Sequence, residues 1–325
     1  MDLKIKDRVI APCVLLAPLA GITDLPFRNL VSRFGAGLVV SEMIASGEFL
    51  TARRGTREKA ELGAQIANTS VQIAGREAGL MSQAARQVAD MGAKIIDINM
   101  GCPARKVTGG WSGSALMKQP DHALRLIEAV VEAVDLPVTL KMRLGWDDSL
   151  HNAANLARRA EGAGIQMVVV HGRTRCQFYK GRANWAAICD TSAAVRIPVI
   201  ANGDITDAAS ARTALAQSKA AGVMIGRGAQ GRPWLLAQIA HEIYGTSAPD
   251  IPTGAAFADM ALGHYEAMLS FYGAQLGMRV ARKHLGWYMD HAQTPPPLRQ
   301  AILTQKSPAL VMELLPEALA QRVKT

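Results

Sequence analysis

Lys94-Ile95-Ile96-Asp97-Ile98-Asn99-Met100-Gly101-Cys102-Pro103 is the stretch from which the fold can be read. Residues 94–99 form a short Ile-rich run closed by Gly and Pro, the pattern of a buried strand that stops at a sharp turn. The turn carries a cysteine. A thiol ordinarily has a pKa near ~8.5, so it can attack as a nucleophile or give up a proton. The competing reading is a small buried hydrophobe, because free Cys is among the most buried residue types.

Outward from that stretch, one unit repeats from residue 13 to about residue 240. A short apolar run ends in Gly, Asn, Asp or Pro, and an amphipathic helical pattern follows. The expected strands are residues 14–19, 38–43, 70–74, 94–99, 138–142, 167–171, 199–202 and 222–225. They read as continuously apolar, as expected of strands buried on both faces. Alternating strands and helices imply a parallel sheet with right-handed crossovers. Eight strands in about 230 residues fit a (β/α)8 TIM barrel, class α/β, better than an open sheet. No GxGxxG follows the first strand, so the dinucleotide fingerprint is missing.

The pattern changes after residue 245. Ala248-Pro249-Asp250-Ile251-Pro252-Thr253-Gly254 reads as a linker. Only helical signals follow, over residues 255–271, 277–288 and 309–323, with Pro295-Pro296-Pro297 separating the last two. The expected organisation is a barrel domain over residues 1–245 and a small all-α domain over 246–325. The second is too small for a large independent core, so it is expected to pack on the barrel.

Hydrophobic residues make up 49% of the 325, enough for a large core, and the net charge of +9 points to an anionic partner. Cys13, Cys102, Cys176 and Cys189 lack CxxC pairing. That argues against a metal site or disulfide scaffold and suits a reducing cytoplasm. The apolar stretch of residues 9–22 is interrupted by Pro12 and Pro18 and is too short to span a membrane.

Barrel enzymes carry their sites at the C-terminal ends of the strands. Here those tips read Ala17-Pro18-Leu19-Ala20-Gly21, Gln72-Ile73-Ala74-Gly75, Asn99 with Cys102, Lys141-Met142-Arg143, His171-Gly172-Arg173-Thr174, Asn202-Gly203-Asp204 and Gly226-Arg227-Gly228. Each tip alone could be ordinary turn chemistry; together they form the pattern of a catalytic mouth. The last two offer unobstructed N–H groups and a cation, a phosphate-binding arrangement. Cations crowd the same end: Arg105, Lys106, Arg173, Arg175, Lys180 and Arg182, interleaved with Phe178, Tyr179 and Trp185. Arg279, Arg282 and Lys283 share a helix face, with Trp287, Tyr288 and His291 close by as stacking surfaces.

The strand tips, in their order, resemble the tRNA-dihydrouridine synthases from about residue 10 to 290, and Arg279-Val280-Ala281-Arg282-Lys283-His284 resembles the B-type bacterial branch. The resemblance implies an FMN barrel and a helical tRNA-recognition domain. It implies reduction of the C5–C6 bond of selected uridines, mostly in the tRNA D-loop, by FMN that NADPH (or NADH) has reduced. Carried over, Cys102 is the proton donor to C5. Pro18, Leu19, Ala20, Gln72, Lys141, His171, Asn202, Gly203, Asp204, Gly226 and Arg227 hold FMN. Asn99 and Arg143 contact the uracil, and Arg173, Arg279, Arg282 and Lys283 contact tRNA. Membrane, metal and obligate protein partners are not implied.

Two departures stand out: Leu19 where the family commonly has Met, and Thr108-Gly109-Gly110-Trp111-Ser112-Gly113-Ser114 in place of a more basic catalytic loop. Two other readings compete. One is a dihydroorotate-dehydrogenase-like FMN barrel for a small molecule, against which the cationic C-terminal helix counts. The other is a non-catalytic RNA-binding regulator, against which Cys102, Lys141 and His171 count.

Overall fold

Strands β3 (Val14–Leu16), β4 (Leu38–Val40), β6 (Thr69–Ala74), β7 (Ile95–Met100), β8 (Val138–Arg143), β9 (Met167–His171), β10 (Val199–Asn202) and β11 (Gly222–Ile225) pair in parallel, in chain order, in a computed structural model of the protein. Residues 2–51, 61–63 and 69–320 are described, apart from the Lys106 side chain. β11 returns to pair with β3, and β4 pairs with β6, so the eight staves close a barrel. The expected strand 38–43 stops at Val40, and a two-residue strand just beyond it, β5 (Ile44–Ala45), pairs separately with β6.

Alternation along the staves sorts two cores. Val14, Leu16, Ile96, Ile98, Leu140, Met142, Val168 and Val170 pack outward among the barrel helices. Leu15, Ala17, Ile95, Met167, Val169, Ile200 and Met224 point into the barrel. Leu3, Ile5 and Ile10 join that inner core from an antiparallel hairpin, β1 (Leu3–Ile5) and β2 (Arg8–Ile10). The hairpin therefore stoppers the end where the strands begin, and Lys6 pins it to Asp135 just before β8.

The expectation of uniformly apolar strands is corrected above that inner plug. Gln72 on β6, Asp97 and Asn99 on β7, Thr139, Lys141 and Arg143 on β8, His171 on β9 and Asn202 on β10 are all buried. On β7 and β8 these polar residues occupy every second position, which is one face of a strand. Apolar below and polar above, the barrel interior presents chemistry only at its C-terminal mouth.

Helices Gly254–Tyr272, Ala274–His291, Pro296–Thr304 and Pro308–Leu319 surround a separate hydrophobic core that includes Phe257, Tyr265, Leu285, Tyr288 and Leu315. The proline run lies between Ala274–His291 and Pro308–Leu319 as expected, and Pro296 and Pro297 do more than separate them. They open the helix between, where a missing N–H leaves no helical bond unmade. The expected helix 309–323 runs over Pro308–Leu319, and residues 321–323 lie outside the described ones. Tyr288, expected as a stacking surface, is a core residue whose hydroxyl meets His264 Nδ1 at 2.8 Å.

This bundle joins the barrel at its first helix, Leu25–Phe34. Phe27 from that helix packs 4.8 Å from His284 and 5.8 Å from His264, ring centre to ring centre. Burial drives His284 down to about 3 and His264 well below the usual imidazole range, so both rings are neutral. Asp24 caps the same helix by accepting the Phe27 N–H at 3.0 Å, which fixes the turn that leads out of β3. Among the described residues, no helix is long and apolar enough to cross a membrane.

Candidate active site

Two cavities open at the C-terminal mouth, of 370 and 330 Å3, and they share Pro18, Leu19, Lys141, His171, Tyr179, Arg227 and Gln230. They are two halves of one cleft. The first half is lined by Asn202, Gly203, Asp204 and Gly226; the second by Ala20, Gln72, Asn99, Cys102 and Arg143. The cleft thus brings together Cys102, Asn99, Arg143 and every residue expected to hold a cofactor.

The first half is a main-chain cradle. Among the described residues, the N–H groups of Gly203, Asp204, Gly226 and Arg227 have no backbone hydrogen-bond partner. Gly203 has φ +116°, and a Cβ there would lie 2.8 Å from both His171 Cδ2 and Ala183 Cβ. Only glycine keeps that turn open. Unpartnered N–H groups lining one cavity beside Arg227 suit a phosphate. The Asp204 carboxylate does not oppose one, because it is already committed. Arg173 holds it in a two-pronged pair at 3.0 and 2.5 Å, Ala183 N donates at 2.8 Å, and Arg227 approaches at 3.2 Å. Burial pushes the Asp204 carboxyl up, but these donors outweigh it and hold the group below the usual range.

Arg173 is therefore not the outward RNA contact expected from sequence. It is 1% exposed, and its remaining N–H groups serve the carbonyls of Lys180 and Gly181. It braces the loop after β9 and fixes His171. Arg173 Nη1 lies 3.3 Å from His171 Nε2. A guanidinium can only donate, so Nε2 accepts and the proton sits on Nδ1. Burial, with Lys141, Arg143, Arg173 and Arg227 nearby, holds His171 neutral by driving its pKa well down.

Lys141 joins the two halves. Its ammonium donates to Asn202 Oδ1 at 3.0 Å, and Asn202 Nδ2 donates to the Met224 carbonyl at 2.8 Å. Burial, and then Arg143, lower Lys141 to about 8, against the pull of Asp97 and Cys102. The group still carries its charge at neutral pH.

In the second half, Asn99 Oδ1 accepts the N–H groups of Gly101 at 3.2 Å and Cys102 at 3.0 Å. Its Nδ2 donates to Gln72 Oε1 at 2.7 Å. One amide N–H of Asn99 is left for a ligand. Arg143 is 1% exposed, and its Nε and Nη1 serve the carbonyls of Gly101, Thr174 and Phe178, each at 2.8 Å. Its Nε and Nη1 clamp the cysteine turn to the loop after β9, and its Nη2 is left to face the cleft that it lines. Tyr179 stands nearby, 5.5 Å from the Arg143 guanidinium and 5.3 Å from that of Arg227.

The C-terminal cations are split. Lys283 reaches the mouth: its Nζ lies 3.4 Å from where a Cβ on Gly21 would stand, one residue from Ala20. Arg282 turns away toward the Gln305 carbonyl at 3.4 Å, and Arg279 is exposed outside the cleft. Sequence reasoning passed over Gln230, Met43 and Asp97. Asp97 was readable, since it shares the inward face of β7 with Asn99; Gln230 comes from a loop whose course no local pattern discloses.

The comparisons with known proteins agree with this geometry. The family model described as dihydrouridine synthase (Dus) matches residues 15–324. A probable tRNA-dihydrouridine synthase of Rhodobacter capsulatus is 63% identical over 324 residues, 99% of each chain. A tRNA-dihydrouridine synthase B of Xanthomonas campestris pv. campestris is 48% identical over 293 residues, 90% of this chain and 88% of that one. Histamine dehydrogenase from a Rhizobium species shares the fold at 12% identity, with a TM-score of 0.55 over 82% of this chain and 50% of its own. The chain belongs to the dihydrouridine synthase family.

Proposed function

We propose that this protein reduces the C5–C6 double bond of uridines in the D-loop of tRNA to 5,6-dihydrouridine, in the cytoplasm. FMN is its cofactor, NADPH or NADH its reductant, and Cys102 its proton donor. The relatives' names supply the substrate class. One observation carries the site assignment: the glycine-lined cradle and Cys102 lie on opposite halves of one cleft.

The residues present fit a flavin nucleotide. The unpartnered N–H groups of Gly203, Asp204, Gly226 and Arg227, with the Arg227 side chain beside them, suit the phosphate. Lys141, charged and buried midway, suits an electron-rich ring. When bound, the cofactor supplies the hydride for uracil C6. Cys102 supplies the proton for C5 from its S–H, and the thiolate left behind is reprotonated from solvent. A positioned general acid contributes about 10²–10⁴-fold. Asn99, Arg143 and Pro103 hold that thiol's turn, so little of this is lost to disorder.

The substrate base has to leave its stack, at about a few kcal/mol, least in a loop. Residues 1–245 carry the chemistry, and residues 246–325 hold the tRNA, with Lys283 at the edge of the cleft. Two measurements test this reading. Purified protein shows oxidised-flavin absorbance, and deletion of its gene removes dihydrouridine from bulk tRNA, which the wild-type gene restores. Unchanged dihydrouridine in a deletion strain without a paralogue overturns it.

A further inference from the structure

We infer that Asp97 directs a chain of side-chain hydrogen bonds ending on the backbone of Cys102, and is thereby a positioning residue for the thiol. This rests on the role proposed above for Cys102. The far end of the chain cannot be reversed. The N–H groups of Gly101 and Cys102 only donate, so Asn99 must turn its oxygen to them. Its amide nitrogen then faces Gln72 and donates to Oε1 at 2.7 Å. Gln72 must therefore turn Nε2 toward Asp97, where it donates to Oδ2 at 2.6 Å. Thr139 Oγ1 donates to the other carboxylate oxygen, also at 2.6 Å.

Each amide has two orientations that exchange donor and acceptor. Only one orientation of the pair satisfies every link, and a carboxylate, which only accepts, enforces it from the near end. An amide at position 97 would not. With its nitrogen toward Gln72 it presses the chain to reverse and to turn the Asn99 NH2 against the N–H groups of Gly101 and Cys102; with its oxygen toward Gln72 its NH2 faces Thr139 Oγ1, whose own proton loses its acceptor, so neither orientation holds the chain as the carboxylate does. All four side chains are buried, where an unmatched donor is expensive. Asp97 touches neither cavity, so its influence on the cleft runs through Gln72 and Asn99.

The chain can be broken and rebuilt. Asp97→Asn frees the direction. Gln72→Glu sets a second carboxylate against the first. The double variant, Asp97→Asn with Gln72→Glu, restores every link: the new amide donates to Glu at 72, accepts from Thr139, and Glu at 72 accepts from Asn99.

The first readout, made on the full chain and independent of turnover, is amide hydrogen exchange at Gly101 and Cys102. Each single variant speeds it by about tenfold or more, while the double stays within about threefold of wild type. The second is the kinetics of tRNA reduction. Asp97→Asn lowers kcat by about tenfold or more with KM within about threefold. Unchanged exchange in Asp97→Asn, or a double variant no better than the singles, overturns the inference. If wild type itself does not reduce tRNA, the proposed function fails, and the exchange pattern still decides the hydrogen-bond chain.

Discussion

At the cradle half of the cleft, a ligand meets main-chain N–H groups, held in place by an ion cluster of Arg173, Asp204 and Arg227 that lies behind them. At the thiol half, it meets side chains, held by the amides of Asn99 and Gln72. A backbone cradle tolerates changes of side-chain chemistry but not an added Cβ. A side-chain site tolerates changes of volume better than a reversed hydrogen bond. The two halves therefore fail in different ways, and the failures separate cofactor binding from proton delivery.

The largest separation comes from Gly203→Val. Its branched side chain would enter space that even a Cβ shares at 2.8 Å with His171 and Ala183, on a backbone of φ +116°. Flavin affinity is expected to fall by about 100-fold, roughly 3 kcal/mol, as measured by fluorescence titration. Near-normal affinity would remove the cradle from the account. A smaller effect distinguishes the two C-terminal cations. Lys283→Ala weakens tRNA binding a few-fold and reduces the salt slope by about one, whereas Arg282→Ala, which turns toward Gln305, changes both less. Equal effects in a salt titration would return the RNA contact to the whole helix face.

Much of this comparison was legible beforehand because both halves sit at strand ends. Ile-rich runs such as Ile95-Ile96 announce a buried strand, and the Gly, Asn and Asp that stop them mark where a barrel carries its site. All eight staves fall within a few residues of their expected positions, and Cys102 with the cofactor tips converge on one cleft.

What stayed hidden is the direction of long side chains. Arg143 and Arg173 look like ligand-facing cations in a basic loop region. The structure spends Arg173 wholly, and the Nε and Nη1 of Arg143, on carbonyls and a carboxylate, because a buried guanidinium must find partners wherever the fold supplies them. Tyr288 was misread for the same reason: one helix face carries both exposed cations and core aromatics, and spacing alone does not say which neighbour covers them. The N-terminal hairpin escaped because its strands, Leu3–Ile5 and Arg8–Ile10, are too short to show a period.

The central claim is that hydride source and proton source are separate groups on opposite halves of one cleft. Its most direct test is a single turnover, in which enzyme with reduced flavin is mixed with unmodified tRNA and reoxidation is followed anaerobically. The account predicts that Cys102→Ala binds flavin and is reduced by NADPH at the wild-type rate, but is reoxidised by tRNA about 100-fold or more slowly. Reoxidation of Cys102→Ala by tRNA at the wild-type rate would contradict it.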